Sequence, residues 1–528
     1  MRAMRRRPQR MAMMKSFAVA TSGLIANQNR AIASERMPTG QVLRGAAVME
    51  NWFPTATGAR VRGGYSKHAT VGAPTATTAL MSYRANSINR LFVATASAVY
   101  DITSPADPSA SPAADISGQT GGDWIGEQFA NAGGVFLRAV NGTDTPQLFD
   151  GTSWSTSPAI TGVTAANLNY VWAFKNRLWF VLKESLSAAY LPVDQIGGAA
   201  VELPLAGVFT LGGNLLFGAT ISADSGDGMD DRIVFVTSEG QAAVFEGSDP
   251  SSAATWQLVG VYRIGRPLGK RAFMRTGGDI VIATDMGMIS LQRAMTLDYA
   301  ALSPSAVSSP IETLWTEYVI RRQGNWQVMI WPRQRACFVA VPANTGDKVI
   351  TPIVNVQTGA WCQYTGMPIT CMVVFGDRFF WGDGNGKVYE AESSGMDDGS
   401  PFTATYVPLF DDLKSPATRK FAKQARAVVI APRPLGDKLS CQADYDITIP
   451  AAPDDTAAIA ASQWGVGIWG EAVWSDTSQR YTYQAWRSVS ATGYALAPCY
   501  QITSGSVSPA DAELVRIDLT YEQGSIVS

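Results

Sequence analysis

One histidine, His68, stands in 528 residues. That scarcity removes Ser-His-Asp and Cys-His chemistry almost entirely, because only this side chain could serve as the base. It also removes metal sites built from several imidazoles. His68 lies in GGYSKHATVG and reads as an ordinary loop residue. Charge is sparse as well. Only 16% of residues are charged and the net charge is −2, so no strong field exists to hold nucleic acid non-specifically. So low a charge hints that other subunits cover much of the surface. The five cysteines, at 337, 362, 371, 441 and 499, are odd in number and form no CxxC. That spacing argues against a zinc site and favours buried, reduced thiols in a cytosol-assembled protein. No apolar run reaches the roughly 18 residues of a membrane span.

The first residues, MRAMRRRPQRMAMMKSFAVATSGLIA, imitate a signal peptide: basic residues, then a short apolar stretch. The apolar part is weak and no clear small-residue cleavage site follows. A true start at Met11, Met13 or Met14, or a basic arm, is the preferred reading.

What the chain does have is apolar and aromatic. Hydrophobic residues make up 46% and aromatics 10%, with 15 Trp and 49 Gly. Aromatic strands with many glycine turns favour an all-β class with a substantial core. A phrase recurs from residue 89, NRLFVATASAVYDIT: turn, apolar strand, small or polar turn, second strand. Variants appear at 133–150, 175–191, 230–247, 277–293, 325–342 and 376–392. Their anchors, Arg90, Gly134, Arg177, Arg232, Asp279, Trp326 and Arg378, are spaced 43 to 55 residues apart. β-Propeller blades have periods of about this size, and a lone hairpin is marginal in water. Stacked radially, each hairpin is covered by its neighbours. The expectation is a propeller of six or seven blades over 76–400. Residues 1–75 lack a steady period and read as an extended docking segment. Longer alternating strands in 401–528 suggest a C-terminal β-sandwich-like assembly domain.

Chemistry is hard to find. Asp224, Asp227, Asp230 and Asp231 in DSGDGMDD could offer oxygen ligands to Ca²⁺, but the EF-hand spacing and terminal Glu are missing. DGNGKVYEAE, 383–392, reads as a turn. SDPSSAATW, 248–256, approaches the Asp-box of propeller sialidases but lacks its Gly and its spacing. An Asx-type turn before a strand is favoured. Paired carboxylates for glycoside hydrolysis give no sign in the sequence. No nucleotide-binding glycine loop opens a helix. Two basic clusters, RRRPQR at 5–10 and RKFAKQAR at 419–426, could meet DNA phosphates or an acidic partner. Solvated charge beside a strand is the preferred reading of the second. No catalytic, cofactor-binding or metal-ligating residue is assigned.

Three passages go beyond pattern. Residues 244–294, VFEGSDPSSAATWQLVGVYRIGRPLGKRAFMRTGGDIVIATDMGMISLQRA, are the first. The others are 375–412, FGDRFFWGDGNGKVYEAESSGMDDGSPFTATYVPLFDD, and the end, ATGYALAPCYQITSG with AELVRIDLTYE, within 491–522. Together they resemble a family of tailed-bacteriophage structural proteins, the tail hub or nozzle of short-tailed phages, also called packaged-DNA stabilisation proteins. The resemblance implies a propeller-bearing virion subunit with no catalytic residues, assembled in the host cytoplasm. It implies a homo-hexameric ring below the portal and adaptor. That ring would continue the DNA channel, touch the DNA non-specifically, retain the genome and carry fibres or a needle. Residues 413–490 and the N-terminal part match least. Two rivals remain: a tail-associated glycan-binding or glycan-cleaving propeller, and a tail-tip protein of a long-tailed phage.

Overall fold

A computed structural model describes residues 12–26, 45–72, 74–85, 88–224, 229–252, 254–322, 324–344, 346–454, 480–505 and 509–526. The chain forms two compact units. One comprises Lys67–Thr351 and Met367–Glu390; the other comprises Met1–Ser66, Pro352–Gly366 and Ala391–Ser528.

The first unit is a β-propeller. The phrase that opens the repeat supplies Ile88–Thr95 and Ala98–Asp101, which pair between Thr77–Ala85 and Ile116–Ser117. Leu91, Phe92, Val93 and Ala94 are all fully buried. A strand inside a blade packs on both faces, so its apolar residues run on without alternating. The same logic repeats along the chain. Four-stranded sheets follow within 125–155, 168–204 and 215–263, then a three-stranded one within 273–290. The turn between Phe174 and Arg177 shows how such hairpins close. Its two residues, Lys175 and Asn176, both have positive φ (48° and 54°), as a type I′ turn requires.

After the three-stranded sheet come short helices, the longest being Glu312–Arg321. Trp315 on it donates its indole N–H to the carbonyl of Thr284 at 2.9 Å. The hairpin Gln327–Trp331/Ala336–Ala340 takes the next place, and the last sheet lies within 371–394. That sheet draws its fourth strand, Gly64–Thr70, from upstream of the first blade. The innermost strands contact one another in chain order, and Cys371–Phe375 meets Thr77–Ala85 to shut the ring. Six sheets of three or four strands thus form the blades, and the 327–340 hairpin, which opens an eight-stranded sheet, stands between the fifth and the last of them.

Packing within and between blades is strongly aromatic. Trp172 stacks near Trp179, its cross-strand partner in the same blade (centroids 6.1 Å apart), and Trp179 stacks on Trp256 of the next blade (5.5 Å). Phe217 lies flat on Phe273 at 4.3 Å. These rings belong to one buried cluster running through three successive blades.

The second unit contains two sheets of longer strands. Thr418–Ala431 pairs with Glu513–Ile526, which also pairs along Ala12–Ala18 and at Ala59–Val61. In the other sheet the order is Ala46–Glu50, Thr403–Pro408, Leu496–Thr503, Asp437–Ala443. Residues 1–75 therefore do not act as a separate segment where they are described. Residues 12–18 and 46–61 are strands of this unit, while 67–72 belong to the propeller. Residues 352–366 also fall to this unit, so its boundaries differ from a cut at 400. The reason is physical: the unit assembles from three separated chain segments, and strand pairing at that range leaves no local composition shift.

Candidate functional site

Propeller chemistry concentrates where innermost strands begin at one end of the ring. Here a cavity of about 300 Å³ is lined by Thr77, Thr78, Asp123, Lys270, Arg271, Asn325 and Gln327. Most of these residues open or precede an inner strand, which is why distant sequence positions meet.

Lys270 and Arg271 come from the PLGKR turn. Gly269 has φ +154°, and a Cβ there would stand 3.2 Å from the backbone N and O of Trp326. Only glycine lets the turn lie so close. The Trp326 N–H donates to the Leu268 carbonyl (3.0 Å), and the Val328 N–H to that of Arg271 (3.0 Å). The two cations are thereby fixed at the ring's axis.

Both reach Asp123, in the linker before the second blade. Lys270 Nζ lies 2.8 Å from Asp123 Oδ2, and Arg271 Nη2 lies 2.7 Å from Oδ1. Lys270 also donates to the Asp123 carbonyl (3.0 Å), the Asn169 carbonyl (3.2 Å) and Asn169 Oδ1 (2.9 Å). Arg271 donates to the Trp124 carbonyl (2.7 Å) and, at 3.4 Å, to that of Thr78. One dipeptide thus ties the fifth blade to the first three.

The electrostatics follow from enclosure. Burial pulls Lys270 down to about 8, with Asp123 opposing the shift and Arg271 adding to it. Burial would raise Asp123, but Arg271 and Lys270 overcome it and hold the carboxyl below its ordinary value. Farther along the inner strands Glu127 is raised by burial, against the pull of Arg275. Tyr170 is raised by burial too. The cluster holds charge in place.

The residues singled out from sequence lie elsewhere. His68 is half-buried on the closing strand, not in a loop. Its Nε2 is 2.7 Å from the Ile102 carbonyl and its ring packs on Phe380 (4.8 Å). Of DSGDGMDD, residues 225–228 lie outside the described residues, and Asp231 accepts a hydrogen bond from Ser222 (2.7 Å). In DGNGKVYEAE, Asp383 Oδ1 accepts the N–H groups of Asn385 and Lys387, a turn as expected. Asp249 likewise accepts from the Ser251 N–H (3.1 Å) and hydroxyl (2.8 Å). Among the described residues no group of three or more His, Cys, Asp and Glu could hold a metal ion. RRRPQR lies outside the described residues. RKFAKQAR lies on a strand, where Lys420 is fully buried and donates to the Tyr494 carbonyl (2.6 Å). Arg426 pairs with Asp518 at 2.8 Å. All five cysteines are free, four buried and Cys441 half-buried.

The axial cluster was missed in the sequence. Its signal was two adjacent cations following a glycine turn in an apolar, low-charge chain.

No known protein family is matched by this chain. No curated protein is matched either. Among solved structures, a BBS1N chain from its complex with ARL6DN aligns at 10% identity and TM-score 0.38, over 63% of this chain and 97% of that one. YCF48 bound to D1 peptide aligns at 11% identity and TM-score 0.28, over 62% and 94%. Likenesses so distant concern fold alone. The propeller assignment rests on the strand order given above. No helix among the described residues is long and apolar enough to cross a membrane.

Proposed function

We propose that this chain is a non-enzymatic virion structural protein, the tail hub or nozzle subunit of a short-tailed phage. In this reading six copies form a ring below the portal and adaptor. The ring extends the DNA channel, retains packaged DNA and carries fibres or a needle. One observation carries the reading: the three phage-like passages fall on both units. The first covers the outer strand Trp256–Arg263, the PLGKR turn and the strands within 273–290. The second covers the last blade and Thr403–Pro408, and the third the strands Leu496–Thr503 and Glu513–Ile526. A scaffold role is also consistent with a charge cluster spent on ties between blades.

The test is negative-stain imaging with mass photometry of the purified full chain, beside immunodetection in purified particles. Closed sixfold rings with a lumen wide enough for a duplex support the reading. A monomer that is also absent from particles overturns it. Cleavage of host-surface glycan by the pure protein would overturn it in favour of the glycan-acting alternative.

A further inference from the structure

We propose that Asn385 is a self-modifying site: its side-chain amide is lost through a cyclic imide with Gly386, and the isoaspartyl product loosens the closure of the propeller. The inference is independent of the role in a phage tail.

The chemistry asks for an asparagine followed by glycine, whose bare Cα leaves the backbone nitrogen open to the side chain. Two such steps occur in the sequence, Asn141–Gly142 and Asn385–Gly386. The structure separates them. Asn141 is 5% exposed. Its Nδ2 donates to the Gly121 carbonyl and to Asp144 Oδ2, both at 2.7 Å, and its Oδ1 accepts the N–H groups of Thr143 (3.0 Å) and Asp144 (2.8 Å). The Gly142 nitrogen, which would have to attack, is committed to the Leu168 carbonyl at 2.8 Å. Asn385 is the opposite case. It is exposed in the turn between Arg378–Gly382 and Lys387–Ser394. Asp383 Oδ1 accepts its backbone N–H (2.9 Å). Among the described residues no hydrogen bond holds its side-chain amide or the Gly386 N–H. Gly386 has φ +79°, so the turn itself demands the glycine.

The Gly386 nitrogen attacks Cγ of Asn385. The N–Cγ bond forms, the proton of that nitrogen passes through water to the side-chain nitrogen, and ammonia leaves. Water then opens the imide. Attack at the main-chain carbonyl of residue 385 leaves isoaspartate, with one added carbon in the backbone; attack at Cγ leaves aspartate. Water is the only co-reactant.

The turn is where the last blade meets the closing strand and the first blade. The Gly386 carbonyl accepts the Val71 N–H at 2.7 Å. The Asp383 carbonyl accepts the Thr77 N–H (3.0 Å) and hydroxyl (2.8 Å). An added backbone carbon and a new carboxylate between these two acceptors shift both.

The experiment holds the full chain in mildly alkaline buffer, native and in denaturant. Peptide mass spectrometry follows it, with chromatography that resolves isoaspartyl from aspartyl peptides. In the native chain the Asn385 peptide should show the mass gain of deamidation and split into two isomers. Asn141 should convert more slowly by roughly 10-fold or more, because several hydrogen bonds must open first. In denaturant the two should convert alike. Asn385→Gln, whose longer side chain disfavours the ring, should show no conversion at 385; Asn385→Ser serves if that variant does not fold. The melting temperature of the aged wild type, and the protection of residues 64–72 from hydrogen exchange, should fall as isoaspartate accumulates. The aged variant should keep both. Conversion of Asn385 only in denaturant overturns the proposal. So does equal conversion of both asparagines in the native chain, or isoaspartate that builds up at 385 with melting and exchange unchanged.

Discussion

Arg62 and Asp397, separated by 335 positions, form a bidentate ion pair with both arms short, 2.7 and 2.6 Å. The arginine is 1% exposed and its guanidinium lies 3.8 Å from the centre of the Phe402 ring. Its remaining N–H groups go to Asn51 Oδ1 and the carbonyls of Gly63 and Thr365. Every donor is used, so the buried charge carries no unmet hydrogen bond. Asp397→Ala strands that charge. It should cost about 3–5 kcal/mol in urea unfolding. The double variant Arg62→Met/Asp397→Leu should recover a large part of this loss. Equal loss in single and double variants would mean that packing, not charge pairing, dominates.

A second prediction tests the packing of one blade on the next. Gly218 sits on an inner strand, where an added Cβ would come within 2.1 Å of the Trp172 ring. Trp172 is fully buried and cannot move aside cheaply. Gly218→Ala should therefore destabilise by about 1–3 kcal/mol, the range for overpacked cores. Gly277, where nothing lies within 4 Å of the added Cβ but φ is +60°, serves as the contrast. There the loss should come from backbone strain alone and stay near ~1 kcal/mol.

The blades were legible because each hairpin is local. Leu91 to Ala94 announce a two-faced strand within four residues, and the turn chemistry lies beside it. What joins the hairpins was not legible. Gly64–Thr70 closes the last sheet from far upstream. The strand Ala12–Ala18 finds its partner near residue 520. Neither pairing leaves a local mark. The axial cluster was hidden for the same reason: Asp123, Asn169 and Lys270 converge only once several blades are stacked. His68 looked like a loop residue because its neighbours are glycines, yet its strand is held by a partner far along the chain.

Acid should find a specific weak point at Asp144. Its carboxylate accepts the Thr120 N–H (3.0 Å) and hydroxyl (2.7 Å), the Gly121 N–H (2.9 Å) and the Asn141 amide (2.7 Å). Partial burial works against ionisation, but these bonds prevail and hold its pKa below the ordinary value. A depressed carboxyl pKa adds stability that is fully present above the unfolded value of about 3.9, and that stability is lost as pH falls through the folded value. Asp144→Asn should thus be destabilised at pH 7. The gap to the wild type should narrow as pH drops below ~4. Urea midpoints at pH 7, 5 and 3 measure this directly, and a gap independent of pH would remove the carboxylate from the account.

Thiol chemistry reports on the integrity of both units. Burial pushes Cys441 up to about 12 and Cys499 up to about 11. Cys337, Cys362 and Cys371 are raised by burial as well. Only thiolate reacts with disulfide reagents, so native labelling at pH 7.5 should be slow throughout. Cys441, the one half-buried thiol, should lead. Denaturant should release all five.

Closure of the ring gives the sharpest stability test. Val71 is fully buried in a cluster with Ala69, Leu91, Val93, Phe380 and Val388, residues of the first and last blades. Its N–H donates to the Gly386 carbonyl at 2.7 Å. Val71→Asp would place an unpaired carboxylate there, where none of the cluster's side chains can compensate it. The cost should be on the order of 4–5 kcal/mol, the upper end for a single change. Because a closing strand holds two blades together, the loss should be cooperative over the propeller. Hydrogen exchange should show protection falling in the strands Ile88–Thr95 and Arg378–Gly382 alike. Loss confined to residues 64–72 would instead mean that the ring stays shut without its closing strand.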